Sequence, residues 1–156
     1  QAQKTETQLW KILESVVDSK YTISDTLWKW HQRRKMENKK NGKWFWYGLF
    51  DKNSEYTNTL SARYYKDGSE ILITQDEKNP RKITPREAAR LQWFPDNFII
   101  PVSDTQAYQQ FWNSVPVNVI TEIAKEMLKY IDVSETKIII QEAKKWNISN
   151  LDFAYS

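Results

Sequence analysis

The chain has no cysteine. That excludes disulfides, thiolate metal sites and a cysteine nucleophile, and it fits a reducing compartment. Histidine occurs once, at His31, which reads as a surface or capping residue rather than a ligand or base. Only three residues are glycine, against a usual share of about 7%. No apolar run approaches membrane-spanning length and no signal-peptide pattern opens the chain, so no membrane partner is expected. Neither charge dominates. The net charge of +3 and pI near 8.9 permit an anionic partner without requiring one. What is abundant is tryptophan, eight in 156 residues. This length suffices for one domain with one modest core. The first residue is Gln1, not Met, which reads as a fragment of a longer chain.

Local signals divide the chain. Leu9, Ile12, Leu13, Val16 and Val17 recur at helical spacing and predict a short helix or a helix end. Ser24-Asp25 caps a helix over about 26–40, with a basic block at Arg33, Arg34, Lys35, Lys39 and Lys40. By charge pattern alone, that block is a solvated helix face. Residues 43–50 read as a strand or extended loop. Residues 57–65 and 69–74 read as two strands joined by a turn at Asp67-Gly68. On the first, Thr59, Ser61 and Arg63 share one face. Residues 75–82, with Pro80, read as a loop. Thr84-Pro85 with Glu87 is a capping box for a helix over 85–92, which Pro95 stops. On it, Glu87 and Arg90 stand at i, i+3. Residues 98–100 read as a buried edge. Ser103 with Gln106 caps a helix near 104–110. A longer helix runs over 116–131, its stripe made by Val117, Ile120, Ala124, Met127, Leu128 and Ile131. Ile138-Ile-Ile140 suits helix or strand equally.

Two of these segments carry a resemblance. Pro80 through Ile83-Thr-Pro-Arg-Glu-Ala-Ala-Arg-Leu-Gln-Trp-Phe-Pro-Asp-Asn-Phe98 resembles the ninth motif of the DNA cytosine-5 methyltransferases. Ile100 through Phe111-Trp-Asn-Ser-Val-Pro-Val117 resembles the run into their tenth. Thr59-Leu-Ser-Ala-Arg-Tyr-Tyr-Lys-Asp-Gly-Ser-Glu-Ile-Leu-Ile73 is similar to the target-recognition region of the branch that modifies CC-containing palindromes. The likeness is collinear over positions 8 to 131.

The resemblance implies an α+β fold: a small target-recognition region over 1–80, with a few antiparallel strands and flanking helices, then the motif helices over 81–131. The last of these completes a Rossmann-like methyltransferase domain absent from this chain. Residues 132–156 lie outside it. Family members add a cysteine thiolate to cytosine C6, use a glutamate at N3, take the methyl group from S-adenosylmethionine and extrude the target base. The nucleophile, the Pro-Cys motif and the glycine-rich cofactor loop are all missing here. The resemblance therefore implies the C-terminal part of a bacterial, cytoplasmic, restriction–modification-type enzyme. Its partners would be double-stranded DNA and a catalytic half, either N-terminal to Gln1 or on a separate subunit. Arg33 and Arg34 would contact phosphate. Thr59, Ser61 and Arg63 would face the major groove. Thr84, Arg86, Glu87 and Arg90 would support the recognition region. Asn113, Ser114 and Val115, at the mouth of the long helix, would meet the methionyl end of the cofactor. A rival from another class is a non-catalytic DNA-binding module; the apolar stripe of the long helix argues against it.

Six positions depart from the family, which has glycine where this chain has Trp10, Trp30, Trp44, Trp46, Trp93 and Trp112. Trp28 matches a family tryptophan. Glycine permits positive φ and close backbone approach, and tryptophan forbids both. One repeated kind of swap points to UGA codons that the organism reads as glycine; any UGG among the six codons excludes this. Real tryptophans would give a protein that binds DNA poorly and the cofactor not at all.

Overall fold

A computed structural model describes residues 8–44 and 46–130. The chain forms two compact units, Gln1–Val117 and Asn118–Ser156. In the first, a 3-10 turn at Leu9–Lys11 precedes helix α1 (Asp25–Lys40), strand β1 (Leu49–Phe50), helix α2 (Tyr64–Asp67), strands β2 (Leu72–Gln75) and β3 (Lys78–Lys82), and helices α3 (Pro85–Leu91) and α4 (Asp104–Asn113). Helix α5 (Val117–Leu128) belongs to the second unit from Asn118 on. The fold is mixed α and β around a three-stranded sheet of order β1-β2-β3. The β1–β2 pair is parallel and only β2–β3 is antiparallel.

The helix starts are set by local capping. Ser24 Oγ accepts from the Leu27 N–H and Ser103 Oγ from the Gln106 N–H, leaving fewer orphan amides at each N-terminus. At α3 the capping box is complete, with Pro85 at the first turn. The helix near 104–110 extends to Asn113, because Tyr108 and Phe111 are buried by continuing it. In α5, Lys125 pairs with Glu122 and, just past its end, Lys129 pairs with Glu126, both at i, i+3.

Four readings from local pattern are corrected. Residues 57–63 form no strand; they bend into α2, because the Tyr64 N–H donates to Ser61 O and the Tyr64 ring is fully buried. Asp67-Gly68 joins no strands; Gly68 ends α2 with φ +64°, where a Cβ would strike the Lys82 side chain. Residues 78–82 are β3, not loop. Pro80 is tolerated there because β3 is an edge strand beside a bulge between Ile73 and Gln75. Residues 98–100 are no buried edge: Phe98 is 42% and Ile99 78% exposed. The Phe98 ring still packs on Phe94 and Phe111.

The core gathers Leu60, Tyr64, Ile71, Ile73, Ile83, Ala88, Ala89, Ala107, Tyr108 and Phe111. Its polar atoms are satisfied internally. Tyr64 Oη donates to Ile71 O at 2.7 Å and accepts from the Ile83 N–H at 2.8 Å; Tyr108 Oη donates to Ile83 O at 2.6 Å. The stripe residue Ile131 and the Ile138–Ile140 segment lie outside the described residues.

Beside this core lies a buried ion pair. Glu87 is fully buried, and Arg81 Nη1 and Nη2 each reach its carboxylate at 2.8 Å. The same carboxylate accepts from the Glu14 and Thr84 N–H groups, while the Thr84 hydroxyl donates to the Glu14 carboxylate. The Glu87–Arg90 pairing suggested by spacing is thus replaced. Arg90 instead binds Asp96 and donates to Ile12 O.

Trp93 stands out. Its φ is +62°, its N–H donates to Arg90 O, and the Phe94 N–H donates to Ala89 O. This is a Schellman ending to α3 with tryptophan at the left-handed position that glycine normally fills. Trp112, in contrast, sits within α4.

Two predictions follow from these backbone and charge environments. Trp93→Gly should raise stability by about 1 kcal/mol, by relief of left-handed strain. Trp112→Gly should lower it by about 1 kcal/mol, as glycine does inside helices; thermal melts of both variants measure this. Glu87→Gln should cost about 3 kcal/mol or more in urea unfolding, because it strips a buried guanidinium of its counter-charge.

Candidate nucleic-acid interface

Helix α1 packs its aromatic side chains on Tyr47, just before β1. Trp28 and Tyr47 meet edge to face at 5.0 Å, and the His31 ring lies 6.0 Å from Tyr47. His31 is only 2% exposed, so the surface role read from sequence is corrected. Its Nε2 lies 3.2 Å from Asp67 O. A carbonyl only accepts, so Nε2 carries the proton in this tautomer. This anchor sets the C-terminal half of α1 beside the 57–70 segment, with two clefts between them.

The first cleft, of about 510 Å³, is lined by Trp30, Arg34, Ser61, Arg63, Lys66, Asp67, Ser69 and Glu70. The Arg34 guanidinium lies over the Trp30 ring at 4.9 Å, which restrains it near the mouth. The second, of about 660 Å³, is lined by Lys35, Trp44, Trp46, Tyr47, Gly48, Leu49, Phe50, Asn58, Thr59 and Glu70. Lys35 Nζ lies over Tyr47 at 4.8 Å. Gly48 is required by close approach: a Cβ there would come within 2.3 Å of Glu70 O. Asn58 Nδ2 also donates to that carbonyl.

Of the residues singled out by sequence, Arg34, Ser61 and Arg63 converge on one cleft, and Thr59 lines its neighbour. They do so without sharing a strand face. Ser61 is also less free than its hydroxyl implied. Its Oγ donates to Glu70 Oε1 and accepts from the Arg63 N–H. Arg33 points elsewhere and pairs with Glu37 at 3.6 Å on an exposed face. Lys35, a member of the basic block, lines the second cleft; Lys66 and Glu70 complete the clefts and were missed. Lys66 and Glu70 stand inside the recognition-like run, where only alternate positions were followed.

The supporting set lies behind. Arg86 Nη2 donates to Phe98 O at 2.7 Å and Nη1 reaches Pro95 O. Arg90 grips Asp96 through Nε at 2.6 Å and Nη2 at 3.1 Å. That hydrogen bond holds the Asp96 carboxyl below its usual range. Together they fasten the loop after α3.

A third cleft, of about 550 Å³, is lined by Val102, Gln106, Gln109, Gln110, Asn113 and Ser114. Its amides supply both donors and acceptors, a chemistry that fits an amino-acid-like group such as the methionyl end of S-adenosylmethionine. Asn113 is the last residue of α4, a helix end of negative partial charge, so any carboxylate recognition there rests on its side-chain amide. Ser114 Oγ donates to Phe111 O at 2.8 Å, leaving its lone pairs available. Val115 is exposed. Among the described residues, no cluster of three or more His, Asp or Glu is placed to hold a metal, and no helix is long and apolar enough to cross a membrane.

Residues 1–129 match the family model described as C-5 cytosine-specific DNA methylase. Curated relatives include Type II methyltransferase M1.ScrFI of Lactococcus lactis subsp. cremoris, 72% identical over 129 residues, which are 83% of this chain and 33% of the relative. Type II methyltransferase M.SsoII of Shigella sonnei is 66% identical, over 83% of this chain and 34% of the relative. The chain thus spans about a third of their length. Among solved structures, the Entamoeba histolytica methyltransferase EhMeth aligns with a TM-score of 0.65 at 21% identity, over 83% of this chain and 43% of that one. The S. pombe Dnmt2 methyltransferase aligns with the same TM-score at 18% identity, over 82% and 44%. Both support the fold.

One pH dependence arises from this geometry. Burial pushes the His31 imidazole below its ordinary value, only partly opposed by its bond to Asp67 O. From about pH 6.5 downward the unfolded chain therefore binds a proton that the folded protein resists, and stability falls as pH falls. The decline ends below the folded-state value. His31→Asn should flatten the melting-temperature profile between about pH 7 and 5, which a thermal-shift series measures.

Proposed function

The chain belongs to the C-5 cytosine-specific DNA methylase family, and on that premise we propose that it is the C-terminal, DNA-reading part of a DNA (cytosine-5-)-methyltransferase of restriction–modification type. Its target is a short CC-containing palindrome. Its partners are double-stranded DNA and a cysteine-bearing catalytic half, which either precedes it or is a separate subunit. The observation that carries this reading is the convergence of Arg34, Ser61, Arg63 and Lys66 on one cleft beside an aromatic-lined second one.

In this reading Arg34 and Lys66 take phosphates and fix register, while Arg63 and Thr59 face base edges. The Thr84, Arg86, Glu87 and Arg90 set keeps the recognition segment and the 92–98 loop in place. Asn113, Ser114 and Val115 close one side of the cofactor pocket. S-adenosylmethionine supplies the methyl group when bound. The thiolate that attacks the base comes from the catalytic half, since these 156 residues contain none.

A mixing assay tests the reading. The chain is combined with a cysteine-bearing catalytic half from a relative, labelled S-adenosylmethionine and duplex DNA carrying CC palindromes. Methyl incorporation should appear only when all components are present. Arg34→Ala and Lys66→Ala should each weaken binding across all sequences and lower the log–log salt slope by about 0.9. DNA binding with no methyl transfer in any combination would instead mark a non-catalytic DNA-binding module.

A further inference from the structure

Glu70 is, with Asp67, one of two acidic residues lining the cleft that holds Arg34, Arg63 and Lys66. It lies where the two clefts meet and lines both. Its backbone is fixed by Asn58 and by the close approach of Gly48. Its Oε1 is held by the Ser61 hydroxyl. Its Oε2 is shielded from solvent and has no hydrogen-bond partner among the described residues. A buried acceptor left unmade costs about 1–3 kcal/mol, so this oxygen is ready for a donor that the described residues do not supply.

We propose that Glu70 is a specificity-determining residue that accepts a hydrogen bond from the N4 amino group of a cytosine in the DNA major groove. This rests on the reading of the chain as a DNA-recognition module and extends it to a residue and a base. The chemistry selects the partner. A carboxylate repels phosphate, and it repels the N7 and O6 acceptors of guanine. Only the cytosine and adenine amino groups donate in the major groove, and adenine sets its amino group beside the N7 acceptor. Cytosine offers the donor without that neighbour. The terminal carboxylate torsion is soft, so a small turn brings Oε2 toward the cleft while the Ser61 hydroxyl follows Oε1. Ser61 becomes a positioning residue: it spends its hydroxyl hydrogen on Oε1 and fixes the carboxylate, while Arg34, Arg63 and Lys66 hold the DNA against it.

The full chain is equilibrated with duplexes carrying a randomised core, and the bound fraction is sequenced for wild type, Glu70→Ala, Ser61→Ala and Lys66→Ala. Wild type should enrich a cytosine-containing core. Glu70→Ala should lose about tenfold of its discrimination at a cytosine position, in line with a base contact of about 1–3 kcal/mol, and keep its affinity for non-target duplex. Ser61→Ala should relax the same position less, and Lys66→Ala should weaken all sequences alike. Replacing that cytosine by pyrimidin-2-one, which lacks the amino group, should weaken wild type about tenfold and leave Glu70→Ala unchanged. If Glu70→Ala does not fold, wild type and Glu70→Gln on the analogue decide the matter. Unaltered discrimination in Glu70→Ala, or indifference of wild type to the analogue at every cytosine, overturns the proposal alone. A wild type that enriches no sequence overturns the DNA-recognition reading as well.

Discussion

The carboxylate of Glu87 is the point on which this fold turns. It gathers both Arg81 Nη atoms and the amides of Glu14 and Thr84, so one side chain ties the Glu14 segment and the end of β3 to the start of α3. Such a buried pair adds little net stability over an apolar alternative, but breaking it is costly; its effect is to select one arrangement. The end of β3 is thereby fixed, and Tyr64 links it to α2 through Ile83. The run over 59–63 leads directly into α2. The position of the cleft-lining groups is therefore inherited from a carboxylate that lines neither cleft.

What the sequence discloses follows interaction range. Capping at Ser24, Thr84 and Ser103 depends on atoms three residues apart, and those starts are legible. The stop after α3 is legible too, since Pro95 limits it. The strand at 78–82 is not, because Pro80 is a loop signal and only the outer place in the sheet makes it admissible. The burial of His31 arises from Tyr47 and Asp67, which no spacing rule connects to α1. Likewise Arg81 carries no mark that its partner is Glu87 rather than solvent. Alternation over 57–63 misleads because Leu60 and Tyr64 are drawn inward by the core and Ser61 by Glu70, an aperiodic pattern.

The site shows the same division. The resemblance selects Arg34, Ser61 and Arg63, which meet in space. It gives Arg33 the same standing, though that side chain lies on another face beside Glu37. The tryptophans also separate by backbone. Trp93 occupies a left-handed position that suits glycine, while Trp112 occupies a helical one that does not. Relatedness alone treats the two alike; torsion angles distinguish them.

The proline in β3 has a consequence for the borders of the sheet. A small sheet with open borders is exposed to strand-to-strand fusion between copies. On one margin, Pro80 presents no amide hydrogen, and the flank is occupied by the bridge from Thr22 to Arg81 and by Asn79 reaching Ile23 and Asp25. On the other margin, β1 is two residues long. Both borders make poor templates for amyloid-like growth, so the sheet is guarded by its own construction.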